Sequence, residues 1–242
     1  MPETTQPTFR SDVTVQLVKQ SATDADVLFA ARVSTLGEQS IDEIGKDPER
    51  SEGLIKYLMR ERHGSPWEHT SMTFLISAPI FVFREFMRHR VGWSYNEESG
   101  RYRELEPVFY VPGRDRKLLQ KGKPGQYRFE EALPEHHEIV ESYTERAYRE
   151  AYRAYREMLA AGIAREVARA VLPVGLYSSM YATCNARSLM HFLGLRTTHP
   201  DAKVASYPQR EIEMVAEQME TAWAELMPLT HAAFNANGRV AP

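Results

Sequence analysis

The longest regular pattern in the chain predicts one amphipathic helix from Pro134 to Ala161. Its apolar and aromatic side chains recur at helical spacing, at Ile139, Tyr143, Ala147, Ala151, Tyr155 and Met158. A second helix is predicted directly after it over "AREVARAVL" (164–172), and Pro173 ends it because proline cannot continue a helix. Long helices therefore dominate the fold that this chain can adopt.

Few strands accompany these helices. Alternation of apolar and polar residues predicts strands, and spacing and capping residues predict the helices. The predicted strands are 12–18, 71–78 and 175–183, with a short extended piece at 107–112. Five further helices are predicted. The first begins after an N-cap at Thr23, and the others are 49–62, Pro79 to about Arg90, 185–195, and 209–227, which Pro228 ends. The segments 63–69 and 113–126 are predicted loops.

The predicted organisation is α+β. Few strands among several long helices, with no internal repeat and no linker, indicate a single domain of long helices around a small mixed or antiparallel sheet. The domain is predicted over 12–236. It lies between a disordered N-terminal tail at 1–11 and a C-terminal tail at 237–242.

Charge and composition exclude several classes of partner. A formal net charge of −3 gives no overall attraction to nucleic acid or membranes, so an anion site has to be a local cluster. Cys184 is the one cysteine, which excludes an internal disulfide and favours a reducing compartment. Residues 1–11 carry no secretory signal, and no run approaches the ~20 apolar residues of a membrane helix. We expect a cytoplasmic protein that binds neither nucleic acid nor membrane.

Common enzyme fingerprints are missing from the sequence. It contains no G-x-G-x-x-G after a strand, no P-loop, no H-E-x-x-H and no G-x-S-x-G. His63, Glu68 and His69 lie in "HGSPWEH" (63–69), but their spacing matches no strong zinc pattern. No metal site is predicted.

Arginines crowd the stretch "FMRHRVGWSYNEESGRYREL" (86–105). Cations near a helix C-terminus interact well with the helix dipole, which accounts for Arg88 and Arg90 without any ligand. It does not account for Arg101 and Arg103, which follow a loop of small polar residues. Because guanidinium groups suit phosphate and carboxylate, we interpret the cluster as an anion site, with Ser99 as a hydrogen-bond donor or an ordinary turn serine.

A second polar set lies on the predicted helix of "NARSLMHFLGLRTTH" (185–199). Asn185, Arg187, His191 and Arg196 recur among leucines and other apolar residues, and the simplest interpretation is a polar outer face. Asn, His and Arg together are nevertheless an unusual solvent face. Arg165 and Arg169 precede this set four residues apart, where two like charges repel unless an anion lies between them.

These motifs together resemble the flavin-dependent thymidylate synthases. The blocks occur in the same order as in that family: "ARVS" (31–34), "HGSPWEH", R-H-R (88–90) followed by Ser99 and "GRY", "ARAVLP" (168–173) and "NARSLMHFLGLR" (185–196). The resemblance covers residues 12 to 227. Two positions depart from the pattern: eight residues separate Arg90 from Ser99 where some members have seven, and Glu85 stands where others carry Gln.

The resemblance implies a fold, a reaction and a set of partners. Members are homotetramers with an α/β core and active sites shared between subunits. They convert dUMP to dTMP with FAD, NADPH and 5,10-methylenetetrahydrofolate, and they use no cysteine nucleophile. The binding of dUMP, folate and NADPH and the assembly into a tetramer are therefore expected here.

The resemblance also implies roles for single residues. Arg196 matches the catalytic arginine beside the uracil ring. The positions that match FAD contacts are His63, Ser65, Glu68, Arg88, His89, Arg90, Glu97, Asn185, Arg187 and His191. Those that match the dUMP site are Glu85, Phe86, Met87, Arg88, Glu97, Glu98, Ser99, Gly100, Arg101, Arg169 and Arg196.

Three other functions stay open from the sequence. A flavoenzyme with another substrate would need a changed cradle around Ser99, Arg101 and Arg196. A nucleic-acid-binding module would use the arginines and tyrosines, although such domains are usually basic. A purely structural helical protein would bind no FAD.

Overall fold

The computed structural model describes residues 6–37 and 47–242. In chain order the elements are β1 (Thr8–Arg10), β2 (Thr14–Ser21), α1 (Asp24–Leu36), α2 (Pro48–Arg60), α3 (Ser65–Glu68), β3 (Ser71–Pro79), α4 (Ile80–Phe86), β4 (Trp93–Glu97), β5 (Val108–Tyr110), β6 (Leu119–Lys121), β7 (Arg128–Glu130), α5 (Pro134–Ala160), α6 (Arg165–Ala168) with a 3-10 turn (Arg169–Val171), β8 (Tyr177–Cys184), α7 (Ala186–Arg196), α8 (Arg210–Leu226) and α9 (Pro228–Ala236). The predicted α+β fold is confirmed.

The chain forms two compact units, each assembled from three separate stretches of sequence. Unit 1 contains the described residues up to Val13, together with 77–86 and 97–179. Unit 2 contains the described residues of 14–76, together with 87–96 and 180–242. Because the stretches alternate along the chain, no linker in the sequence separates the units.

Unit 1 is organised by the long helix α5. Tyr152 and Tyr155 are buried on one side of α5 and pack with Phe109 of β5 and Leu176 in one apolar cluster. The Tyr155 hydroxyl accepts a hydrogen bond from the Leu105 backbone N at 3.3 Å, so the polar end of this buried ring is paired. The predicted loop 113–126 contains the strand β6, which pairs antiparallel with β7 directly after the loop.

The N-terminal prediction is wrong in part. Thr8–Arg10, predicted as disordered, forms β1 and pairs in parallel with Val108–Tyr110. The Tyr177 hydroxyl donates to the Asp12 backbone oxygen at 2.6 Å and fixes the end of this segment. A strand of three residues that depends on a partner about a hundred positions away leaves no local signal. Residues 1–5 of the predicted tail lie outside the described residues.

Unit 2 contains most of a four-stranded sheet with the order β2-β3-β8-β4. Alternate residues of β3 are buried, as the sequence predicts, and Thr73 shares a hydrogen bond of 2.9 Å with Thr183 of β8. The predicted N-cap at Thr23 is confirmed, since its Oγ1 accepts a hydrogen bond from the Asp26 backbone N. Asp24 meanwhile accepts hydrogen bonds from the backbone N of Leu229 and of Thr230 and so caps α9.

Several predicted boundaries are wrong. Helix α4 ends at Phe86, so the R-H-R motif lies in a turn beyond it. Trp93–Glu97, predicted as part of a polar loop, forms the edge strand β4. The predicted loop 63–69 contains the short helix α3, and the helix predicted over 164–172 shrinks to α6 and a 3-10 turn. Pro228 ends α8 as predicted but also begins α9 at a position where proline needs no hydrogen-bond donor.

Among the residues that the structure describes, no helix is both long and apolar enough to cross a membrane.

Candidate active site

A cavity of about 490 Å³ lies in unit 2 at the N-terminal end of α7. Its walls come from α3, from the turn that contains the R-H-R motif, and from the first two turns of α7. The lining residues are Glu68, His89, Arg90, Val91, Gly92, Trp93, Asn185, Arg187, Ser188 and His191. Residues far apart in sequence therefore meet around one space.

The R-H-R turn packs closely against the start of α7 through Gly92. This glycine has φ +69°, and a Cβ on it would overlap Ser188 Oγ and lie 2.8 Å from Asn185 Nδ2. Ser188 Oγ donates to the Val91 backbone oxygen at 2.8 Å. A larger residue at position 92 would be strained in its backbone and would also separate the turn from α7.

Asn185 has two tasks at this helix terminus. Its Oδ1 accepts a hydrogen bond from the Ser188 backbone N at 2.8 Å, which makes it the N-cap of α7. The amide nitrogen is then left as the group that faces the R-H-R turn at Gly92. The side chain therefore presents a donor to the cavity.

Arg187 is held in place from two sides. Its Nη1 pairs with Glu68 Oε1 at 2.5 Å, and its Nε donates to the Pro242 backbone oxygen at 2.7 Å. A Cβ on Gly64 would lie 2.5 Å from the guanidinium, so glycine is needed for this close approach. Partial burial and the charge of Arg187 lower the pKa of His191, which keeps that imidazole neutral near pH 7.

His89 and Arg196 form a hydrogen-bonded pair beside the cavity. Arg196 Nε donates to His89 Nε2 at 3.0 Å. Burial and the nearby guanidinium lower the pKa of His89 to about 4, so the ring is neutral and accepts this bond. The imidazole makes an edge contact with Phe192, with 4.8 Å between the two ring centroids. The Tyr95 hydroxyl donates to the His89 backbone oxygen at 2.9 Å.

The predicted nucleotide residues between Glu97 and Arg101, together with Arg169, lie in unit 1, whereas Arg196 lies in unit 2. The Ser99 backbone oxygen accepts from Tyr102 N at 3.0 Å, and Ser99 Oγ accepts from Arg101 N at 3.3 Å. Ser99 is therefore a turn-forming serine here. Arg101 Nε pairs with Glu166 at 3.0 Å, and this ion pair is about half exposed on both sides.

Two acidic side chains before Ser99 differ in their surroundings. Loss of hydration raises the pKa of Glu97; a hydrogen bond from Ser178 opposes that rise, and the charge of Glu98 adds to it. Glu98 pairs with Arg103 at 3.1 Å, and its backbone N donates to the Ser179 oxygen at 2.9 Å. The Glu97 carboxyl thus binds a proton more readily than an ordinary surface glutamate.

Gly100 allows a close approach of Arg169, which is also predicted at the dUMP site. A Cβ there would lie 3.2 Å from Arg169 Cδ and 2.8 Å from Leu105 Cδ1. Phe86, predicted at the dUMP site, is 0% exposed and packs in the core, so it has no surface for a ligand. Met87 is 40% exposed, just beyond the end of α4.

The structure brings together only part of the predicted FAD set. Glu68, His89, Arg90, Asn185, Arg187 and His191 line the cavity. The other four, His63, Ser65, Arg88 and Glu97, do not line it, although all four are exposed. His63 stacks on Tyr57. Sequence reasoning assigned no role to Trp93 or Ser188, and the signal for Trp93 was its aromatic ring between the R-H-R motif and Tyr95, on which it stacks.

The cavity suits a ligand with both a flat polar ring and an anionic group. Arg90 and Arg187 supply positive charge, Asn185 supplies a donor, and Trp93 supplies an aromatic face. Neutral imidazoles at His89 and His191 exchange hydrogen bonds without adding charge. Among the described residues, no three His, Cys, Asp or Glu side chains form a group that would hold a metal ion.

Comparisons with known proteins identify the family. The family model described as "Thymidylate synthase complementing protein" matches residues 16–229. A flavin-dependent thymidylate synthase of Streptomyces coelicolor is 77% identical over 233 residues, which cover 96% of this chain and 95% of that protein. One from Tropheryma whipplei is 58% identical over 237 residues, 98% of each chain.

A solved structure agrees with these relatives. It is that of a UMP/dUMP methylase, PolB from Streptomyces cacaoi, bound with 5-Br dUMP. Its TM-score with this chain is 0.91 and its sequence identity is 60%, covering 97% of this chain and 99% of that one. With the R-H-R turn, the capped α7 and Arg196 all in place, the chain belongs to the flavin-dependent thymidylate synthase family.

Proposed function

We propose that this member of the family catalyses the reductive methylation of dUMP to dTMP, with 5,10-methylenetetrahydrofolate as carbon donor and NADPH as reductant. The observation that carries the proposal is the Arg196–His89 pair beside the cavity. Because His89 is a neutral acceptor, this contact orients the guanidinium without offsetting its positive charge. Such a group stabilises negative charge that develops at N3 and O4 of a uracil ring, which makes C5 nucleophilic.

The state of Cys184 supports a route without a covalent adduct on the enzyme. Cys184 is 2% exposed, and burial raises the pKa of its thiol far above the ordinary value. A thiol in this state supplies almost no thiolate near pH 7. Activation of the uracil ring is therefore assigned to Arg196 alone.

We assign the flavin to the cavity residues and the nucleotide phosphate to the turn that starts at Ser99. Arg90 and Arg187 bind the anionic part of FAD, while Asn185 and His191 hydrogen-bond to its polar edges; His63, Ser65, Arg88 and Glu97 are assigned to FAD by family resemblance. FAD supplies the hydride chemistry of the reaction when it is bound. Each residue of the chain then serves to bind, to orient or to stabilise charge.

The nucleotide phosphate is assigned to the turn that starts at Ser99. Arg101 releases Glu166 and pairs with the phosphate, since an exposed ion pair is worth little and exchanges readily. Arg169 approaches over Gly100 and supplies a second guanidinium. The remaining residues assigned to dUMP are Glu85, Met87, Arg88, Glu97, Glu98 and Arg196.

We also propose a homotetramer in the cytoplasm, with active sites shared between subunits. Val91 and Tyr102, which lie among the assigned residues, are 89% and 78% exposed. In the proposed tetramer these exposed side chains are available to contact a partner subunit. The molar mass in solution, measured by light scattering, tests this part.

The test of the reaction is anaerobic turnover with NADPH and methylenetetrahydrofolate, with and without added FAD. dUMP and UMP are supplied in separate reactions, because the structural relative is described as acting on both. We expect FAD-dependent dTMP from dUMP and a much lower kcat/KM for UMP. A folded, FAD-bound protein that methylates only UMP would contradict the assigned substrate, and one that binds no FAD would contradict the proposal as a whole.

A further inference from the structure

The chain after α9 forms a strap, residues 238–242, that contacts α7 near both ends of the helix. Gly238 and Arg239 have φ values of 70° and 58°, so two successive left-handed residues turn the chain back after α9. The Gly238 backbone oxygen accepts from Lys203 N at 3.0 Å and fixes the start of the strap. Left-handed backbone is unfavourable at a non-glycine residue such as Arg239, so this turn is maintained by the contacts that follow.

Arg239 connects the strap to the C-terminal end of α7. Its Nη2 donates to Thr197 Oγ1 at 2.8 Å, and Thr197 directly follows Arg196. The Arg239 side chain is 1% exposed and pairs with Glu220 at 2.6 Å. Burial alone would raise the pKa of Glu220, but hydrogen bonds from Arg239 and His231 outweigh it and lower that pKa to about 2.

The strap then passes over α7 toward the cavity. A Cβ on Gly194 would lie 3.0 Å from the Arg239 backbone oxygen, so the strap lies directly against the helix there. At the N-terminal end of α7 the Pro242 backbone oxygen accepts from Arg187 Nε at 2.7 Å. Pro242 is buried, and a Cβ on Gly64 would lie 2.8 Å from its oxygen.

We propose that the strap is a positioning element for the reaction: Pro242 orients Arg187 for the flavin, and Arg239 orients the end of α7 that carries Arg196. This inference rests on the proposed function. The chemistry of the contacts supports it. The strap places the buried charge of Arg239 beside Thr197, next to Arg196, and places the Pro242 backbone oxygen on Arg187. Both contacts therefore lie at positions of α7 where a guanidinium has to be fixed. Apolar packing alone would hold the strap down without either polar contact.

Two variants separate the two ends of the strap. A chain that ends at Val240 lacks the oxygen that Arg187 donates to, and its dissociation constant for FAD should rise about tenfold, the effect of one hydrogen bond to a charged group. Its kcat at saturating FAD should stay close to wild type. Arg239→Lys keeps a positive charge beside Glu220 but loses the planar geometry of the guanidinium. We therefore expect kcat to fall about tenfold while FAD affinity is retained.

A second pair of variants tests the Arg239 contact from its other side. Thr197→Val removes the hydroxyl with little change in shape and should lower kcat as Arg239→Lys does, whereas Thr197→Ser should restore it. Arg153→Lys is the matched control, since Arg153 pairs with Glu150 and Glu157 on the exposed side of α5. FAD affinity is measured by flavin fluorescence quenching, and thermal unfolding is followed for every variant.

The outcomes distinguish the strap from the proposed function. A wild-type protein that binds FAD and turns over, with the variants unchanged, would overturn the strap proposal alone. So would parallel losses of FAD affinity, kcat and melting temperature in both variants, because a structural role predicts them together. A wild-type protein that fails to bind FAD would instead contradict the proposed function.

Discussion

His89 contacts Arg196 through a hydrogen bond in which Arg196 is the donor, because the guanidinium has no acceptor. The imidazole is neutral, accepts from Arg196 Nε at 3.0 Å, and is itself held by Phe192 and Tyr95. A protonated ring in the same place would repel the guanidinium and offer no acceptor. The middle residue of the R-H-R motif thus positions Arg196, the arginine proposed to activate the uracil ring.

His89→Leu removes the acceptor and should lower kcat about ten- to a hundredfold, while His89→Gln, whose amide oxygen accepts a hydrogen bond, should lose less. Steady-state kinetics that separate kcat from the KM for dUMP provide the measurement. If His89 acts through Arg196, then the double variant His89→Leu/Arg196→Ala will be no slower than Arg196→Ala alone. Additive losses in this cycle would show that the two side chains act independently.

The lowered pKa of His89 also predicts how stability depends on pH. In the unfolded chain this imidazole binds a proton near pH 6.5, whereas in the folded chain it does so only near pH 4. Between these values the unfolded state binds more protons, so the free energy of unfolding decreases as the pH falls from 6.5 to 4.

The measurement is urea unfolding at several pH values for wild type and for His89→Gln, which cannot titrate. The difference between the two curves isolates His89 from other groups, including His191, whose pKa is also lowered. We expect a shallower loss of stability in the variant over this window. Parallel curves would mean that His89 keeps an ordinary pKa in the folded protein.

Among the elements, those with a strong periodic pattern were predictable and those that depend on distant partners were not. The long helix predicted over 134–161 is α5, and the predicted strand at 71–78 is β3. β4 was missed because "WSYNE" is short and polar and is stabilised as an edge strand of the sheet. Its absence from the prediction let α4 extend through the R-H-R motif, which in fact forms a turn.

The candidate site shows the same division. The residues that line the cavity from α7 were recognisable because Asn185, Arg187 and His191 recur on one predicted helix. The contact of His89 with Arg196 spans 107 positions and has no local pattern. The strap contacts were equally invisible, since both depend on where the chain turns at Gly238 and Arg239.

Asn185 allows the capping of α7 to be separated from the binding of a ligand. Asn185→Asp keeps the oxygen that accepts from Ser188 N and also suits the helix dipole, so stability should change little. It replaces the amide donor by a negative charge, however, and FAD affinity should fall at least tenfold. Asn185→Ala should weaken FAD binding and also destabilise the protein by about 1 kcal/mol.

Chemical denaturation and a flavin titration of the same samples test this expectation. Ser51→Ala is a suitable control, because it also removes a side-chain hydrogen bond at the start of a helix but lies outside the cavity. Ser51 Oγ in α2 donates to the backbone oxygen of Asp47. Equal FAD affinity in wild type and Asn185→Asp would remove Asn185 from the proposed flavin contacts.

For the whole molecule, the cavity residues and the turn that starts at Ser99 belong to different units of the chain. The cavity residues lie in unit 2, while the turn from Ser99 and the Arg169 segment lie in unit 1. One continuous stretch, 88–103, crosses from the first set to the second. Flavin and nucleotide binding should therefore respond to different substitutions.

Arg101→Ala should raise the dissociation constant for dUMP about ten- to a hundredfold and leave that for FAD unchanged, because it removes one guanidinium from the phosphate. Arg187→Ala should do the reverse. Isothermal titration of each ligand measures both. Arg114→Ala is the matched control, since Arg114 is similarly exposed, at 59% against 53% for Arg101, and pairs with Glu141. If Arg101→Ala and Arg114→Ala weaken dUMP binding equally, the effect is one of overall charge and the phosphate contact assigned to Arg101 is wrong.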